Sequence, residues 1–199
     1  MTTEQLKRLS ERRHRWVQRY LQHHLPNCIV TYNGVEGVDH IISYYKGIKG
    51  AEDELPKLIS ETIIETKTCQ GIISGGINYE LTKPDRPYTF TIPRLGRFKF
   101  DLRPAKPYDI SQHEDLVRNN GWYVFVIGDW GKNIITGIRA DQLNLRGNTI
   151  KKLSWGTILK QCYPDWLTRL KHQIYCTNEN QKEKEHKQMN DSEKGDEKK

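Results

Sequence analysis

The sequence predicts an α/β fold, a mixed β-sheet flanked by helices and carrying an inserted β-hairpin. Three observations carry that prediction. An amphipathic helical pattern opens the chain, with Leu6, Leu9, Trp16, Val17, Tyr20 and Leu21 at helical spacing and a stop at Pro26. Short runs rich in β-branched and aromatic residues follow at Cys28–Tyr32, Val38–Tyr45 and Glu61–Cys69. A continuous apolar run, Trp122–Ile127, comes directly after a helical segment and reads as a central strand buried on both faces.

The first helix spans Thr3 to about His24. Its other side holds Lys7, Arg8, Arg12, Arg15 and Arg19, interrupted by Glu11, which is a candidate to turn toward an active site. Asn33-Gly34 marks the turn between the first two strands, and Asp39 sits at the start of the second. Lys46–Ser60, with Gly47, Gly50 and Pro56, reads as a loop. Beyond Gly71 the character changes. Tyr88–Ile92 and Arg97–Arg103 alternate strictly, with Pro93–Gly96 between them, and are expected to pair as a hairpin inserted over 71–108. In the second run Phe98, Phe100 and Leu102 share one face. Arg97, Lys99, Asp101 and Arg103 share the other, which is either a phosphate-contacting face or a solvated one. Ile110–Asn119 is expected to be a helix capped by Asp109 or Ser111, with Gln112 and His113 placed to reach a neighbouring site. Asn133–Ile138 forms another strand, and helices over Trp155–Cys162 and Pro164–Tyr175 close a single domain of residues 1–177. The tail over 178–199 is Lys, Glu, Gln, Asn and Asp, a composition expected to stay disordered.

Charge narrows the partners. The formal net charge is +7, and a basic body favours a polyanion, nucleic acid before membrane. No apolar run reaches the roughly 18 residues of a membrane span, and the basic start lacks the apolar core of a signal peptide, so a cytoplasmic protein is expected. Cys28, Cys69, Cys162 and Cys176 are scattered without C-x-x-C spacing, which suggests neither a zinc site nor a disulfide framework.

Chemistry concentrates in Glu61–Cys69. Glu65 and Lys67 lie two positions apart in an otherwise β-branched strand, so they project from one side about 7 Å apart. Charges in such a strand cost free energy unless they are paired or bind something. The bland reading is an ion pair on a solvated face. The alternative is hydrolytic. Two carboxylates on adjacent strands, Asp39 and Glu65, with the carbonyl of Thr66, can hold Mg²⁺, for which Mn²⁺ can substitute. Lys67 can then orient or deprotonate the attacking water, or steady the developing charge.

The order helix, hairpin bearing Asp39, strand bearing Glu65 and Lys67, helix, buried strand resembles the PD-(D/E)xK nuclease superfamily, and most of all small type II restriction endonucleases. The residues that carry the resemblance are Val38-Asp39, then Ile63-Ile64-Glu65-Thr66-Lys67, then the helix near Gln112 leading into Trp122–Ile127. It covers roughly residues 3–138, and Val38 stands where the family name puts proline. The resemblance implies a restriction-endonuclease-like sheet and a metal-dependent endonuclease cutting double-stranded DNA at specific sites. Asp39, Glu65 and Lys67 would be catalytic, Arg97, Lys99 and Arg103 would contact DNA, and Glu11, Gln112 and His113 are accessory candidates. A homodimer is expected, because cutting both strands in one encounter needs two sites. A Holliday-junction or repair nuclease of the same fold, or a binding protein without catalysis, would share these residues.

Overall fold

The structure, a computed structural model, describes residues 3–33, 38–46, 56–70, 97–104, 110–129, 132–147 and 149–176. Helix α1 (Thr3–His24) leads into β1 (Cys28–Tyr32), β2 (His40–Lys46) and the long β3 (Lys57–Gln70). Then come β4 (Arg97–Asp101), α2 (Gln112–Arg118), β5 (Trp122–Asp129), β6 (Lys132–Arg139), β7 (Ile150–Ser154), α3 (Trp155–Gln161) and a last helix, α4, over residues 166–176. Among the described residues five strands make a mixed sheet in the order β1-β2-β3-β5-β6, and β4 pairs with β7 in a second, two-stranded ribbon. All neighbours in the sheet are antiparallel except β3 and β5, the pair whose connection includes α2. A parallel pair needs such a crossover.

Both faces of the sheet are covered, which is why β5 is apolar from Trp122 to Ile127. Trp122, Val124 and Val126 pack with Ile42 and Ile64 against Val17, Leu21 and Leu25 and against Trp166, Leu170 and Ile174 of α4. Tyr123 and Phe125 face the other way, toward Phe98, Phe100, Leu116 and Ile158. On α1 the basic residues Arg8, Arg12, Arg15 and Arg19 are exposed. Helix α2 starts at a capping box. The Ser111 hydroxyl accepts from the Glu114 N–H, and Glu114 Oε2 accepts from the Ser111 N–H at 2.8 Å. Of the two expected caps, Ser111 caps the helix, and Asp109 lies outside the described residues.

Three differences from the sequence expectation have physical reasons. Strand β3 begins at Lys57 rather than Glu61, because Tyr44 and Tyr45 of β2 pair with Ser60 and Leu58 across a register shift. Strand β2 begins at His40, which leaves Asp39 just outside it. Arg97–Asp101 alternates as expected, and its partner among the described residues is β7, Lys99 facing Lys152 and Phe100 facing Lys151. A distant segment supplies that partner, so among the described residues β4 belongs to a long-range ribbon. The run 88–92, its turn 93–96 and the tail over 178–199 lie outside the described residues. Among the described residues no helix is long and apolar enough to cross a membrane.

Gly137 of β6 is fixed by close approach. A methyl at this position would come within 2.5 Å of the buried Trp166 ring. Gly137→Ala is therefore expected to destabilise the protein by about 1–3 kcal/mol, the range for overpacking a core, read as a lower midpoint in urea. An unchanged midpoint would mean that α4 does not dock on β6 in this way.

Candidate active site

The pairing of β2 with β3 ends at His40 opposite Ile64. One residue earlier the chain has left the ladder, and the Asp39 side chain takes its place. Its Oδ2 accepts the Thr66 N–H at 2.8 Å. A residue's N–H and C=O leave a strand on the same side, so the Thr66 carbonyl shares this open edge with Asp39. The other oxygen, Oδ1, lies 3.2 Å from Nδ1 of His14, brought in by α1.

Glu65 and Lys67 project from the face of β3 that carries their register partners Tyr123 and Phe125. Lys67 Nζ meets Glu65 Oε1 at 2.6 Å and lies 3.4 Å from Oε1 of Gln112, the first residue of α2. Glu65 is only 5% exposed, and its second oxygen, Oε2, is buried with no hydrogen-bond partner among the described residues. That orphaned oxygen is the most informative atom of the cluster, because a buried acceptor without a donor is costly.

The two carboxylates are driven apart in acidity. Burial pushes the Glu65 carboxyl up to about 7; the Lys67 ammonium opposes that rise and the Asp39 charge adds to it. Burial works to raise Asp39 as well. There, contact with the His14 ring and the Thr66 N–H outweigh it and hold the carboxyl below its ordinary range. Two acids with opposed shifts are a recurring arrangement for acid–base work.

Two residues of this cluster had no place in the sequence expectation. His14 contacts Asp39, and His40, fully buried, bridges the His14 carbonyl (Nε2, 3.1 Å) and the Thr66 hydroxyl (Nδ1, 3.1 Å). A carbonyl only accepts, so Nε2 carries the proton and Nδ1 accepts from Thr66. Desolvation pushes His40 down to about 4 and keeps it neutral at pH 7. Alternation offered one signal, since His40 shares a face with Ile42, and a polar ring among apolar neighbours requires partners.

The structure thus brings Asp39, Glu65, Thr66, Lys67 and Gln112 together. His113 is one step removed: its Nδ1 lies 3.2 Å from the Tyr123 hydroxyl, and Tyr123 is the register partner of Glu65. Glu11, half-buried on α1, acts electrostatically on Tyr32. Among the described residues no hydrogen bond or ion pair joins Glu11 to Asp39, Glu65 or Lys67. Arg97, Lys99 and Arg103 are exposed beside β4, and Arg103 is held by Asp101 through two bonds of 2.6 and 2.8 Å. A cleft of about 280 Å³ lined by Trp122, Arg139, Arg169 and His172 shares no residue with the cluster.

Among the described residues no group of three or more His, Cys, Asp or Glu is arranged to hold a metal ion. Any cation here would rest on two carboxylates, a carbonyl and water, a donor set of hard oxygens that fits Mg²⁺ and not zinc. Compared with protein-family models, curated proteins and solved structures, the chain matches none.

Because the Glu65 carboxyl ionises near 7 in the folded protein and near 4.5 as an ordinary side chain, the folded state holds a proton that the unfolded state has lost between those values. Stability therefore falls as pH rises through that window, and the cost is fully present above it. In EDTA at pH 8, Glu65→Gln should raise stability by up to about 3 kcal/mol, with the gain fading toward pH 5. Equal melting of the two proteins at pH 8 would show that Glu65 is not strained by burial.

Proposed function

We propose that this chain is a metal-dependent endonuclease that hydrolyses phosphodiester bonds in double-stranded DNA, with Asp39, Glu65 and Lys67 as its catalytic residues. The observation that carries the reading is the buried, half-satisfied Glu65 beside Lys67, at the point where β2 departs from β3 and Asp39 fills the ladder. The order of elements, α1-β1-β2-β3-β4-α2-β5 with Asp39 before β2 and Glu65 and Lys67 in β3, supports a restriction-endonuclease-like core.

In this reading Asp39, Glu65 and the Thr66 carbonyl hold Mg²⁺, or Mn²⁺ in its place. When bound, such an ion polarises the phosphoryl group and lowers the pKa of water. The chain's own residues do the rest. Lys67 holds the attacking water and meets the negative charge that develops on the phosphoryl oxygens. Gln112 limits where the Lys67 ammonium can go, and the link from His40 to the Thr66 hydroxyl ties β3 to α1 behind the site. Site-specific, type II restriction-like cutting by a homodimer is part of the proposal, because each chain carries one such site.

A second reading has its own observation. Asp39 Oδ2 already accepts from the Thr66 N–H, Oδ1 already lies against the His14 ring, and Glu65 already has Lys67. Such a network also closes as a structural ion-pair cluster, and the protein would then bind DNA without cutting it.

Incubation with supercoiled plasmid, with and without Mg²⁺, separates these readings. The proposal expects discrete linear products that need Mg²⁺ and disappear in EDTA. Nicking alone would point to a repair or junction nuclease, and intact plasmid under all conditions to the binding protein. Lys67→Ala should lower the cleavage rate by about 10²-fold or more, the scale of a lost acid–base group, while binding persists. Cleavage at the wild-type rate by Lys67→Ala would refute the assignment.

A further inference from the structure

We infer that the outer face of the β4–β7 ribbon is a phosphate-binding surface for double-stranded DNA, formed by Arg97 and Lys99 of β4 together with Lys152 of β7. Lys99 and Lys152 are register partners, directly opposite each other on the exposed face. Side chains so placed have Cβ atoms about 5 Å apart, and like charges there are destabilising. Arg97 lies two residues along the same face and adds a third cation. Among the described residues no carboxylate comes within ion-pair distance of the three. Asp101, the acid on that face, is held by Arg103 in the two-bond fork already described, and Lys99 also acts on it electrostatically, so on this side of the ribbon one carboxylate stands against Arg97, Lys99, Arg103 and Lys152. Arg103 was the third residue of the sequence expectation; in the folded chain Lys152, from a strand about fifty residues on, takes that place.

The position of this face gives the charge its meaning. The inner side of β4 packs Phe98 against Phe125 at 4.9 Å and Phe100 against Tyr123 at 5.5 Å between ring centroids. Phe125 and Tyr123 are the register partners of Lys67 and Glu65. The ribbon therefore stands on the strand next to the catalytic pair, and β4 is its strand in contact with β3. A repulsive pair is retained on a rigid wall of the site, and a polyanion lying across that wall would offset it. The placement rests on the proposed role of Glu65 and Lys67, whereas the unbalanced charge does not.

The test is binding of a short fluorescent duplex to the full chain in EDTA, where no cleavage occurs, across a salt series. The doubly substituted Lys99→Ala, Lys152→Ala protein should bind several-fold more weakly at low salt. Its log–log salt slope should be shallower by about two, one released counterion for each lost phosphate contact. Lys152→Ala alone should shift the slope by about one, and its midpoint in urea should be no lower than wild type, since a repulsion is relieved. An unchanged slope in the folded double variant would overturn the proposal, as would a wild-type protein that binds no duplex or prefers single-stranded RNA. Plasmid cleavage by the same proteins keeps the two readings apart. Cutting by wild type with an unchanged slope in the double variant removes the ribbon proposal alone. Duplex binding with the expected slopes but no cutting removes the nuclease reading alone.

Discussion

Glu65 is buried with only half of its carboxylate satisfied. A carboxylate taken out of water costs several kcal/mol unless charge and hydrogen bonds replace its hydration. Here the replacement is incomplete. Lys67 satisfies one oxygen, the other has no partner among the described residues, and Asp39 adds repulsion. A sequence under selection for stability alone would place Leu or Val on this face, next to Tyr123 and Phe125. Keeping an acid there means tolerating a destabilised folded state, and such positions are where function is expected.

The surrounding architecture holds that strained group still. Strand β5 is buried on both faces and lies parallel to β3, so Glu65 and Lys67 cannot shift along their neighbour without moving two cores at once. From one side α2 brings Gln112 to the lysine. From the other, α1 brings His14 to Asp39 and accepts His40 on its backbone. Asp39 itself replaces a residue of β2 in the ladder, so its carboxylate is fixed by the same register that fixes the strand. Elements distant in sequence therefore converge on Glu65, Thr66 and Lys67 of β3.

Much of this was legible in the chain. Local patterns determine α1, β1, β2, β5 and β6, and the strand bearing Glu65 stands out because its charges interrupt a β-branched run. The ribbon was only half legible. Phe98 and Phe100 announce one strand by alternation, but Ile150–Ser154 has its two apolar residues three apart and two lysines between them, with no period of two. Its strand character comes from pairing with β4, a long-range event that a local window does not contain. The histidines are a similar case. His14 lies among arginines on α1, and its role exists only once α1 docks beside the end of β2. Nor does sequence reveal that Asp101 occupies Arg103, since both read as members of one polar face.

The most direct test of the account is whether the cluster around Glu65 takes up a divalent cation. Free Mn²⁺ is followed by its electron paramagnetic resonance signal as it is titrated into the full chain at pH 8. Saturable loss of free signal is expected at one ion per chain in the absence of DNA, reversed by excess Mg²⁺ and abolished by Asp39→Asn and by Glu65→Gln, each still folded. A wild-type protein that leaves the Mn²⁺ signal unchanged, or variants that bind as wild type does, would contradict it and leave Glu65 and Lys67 as a buried ion pair.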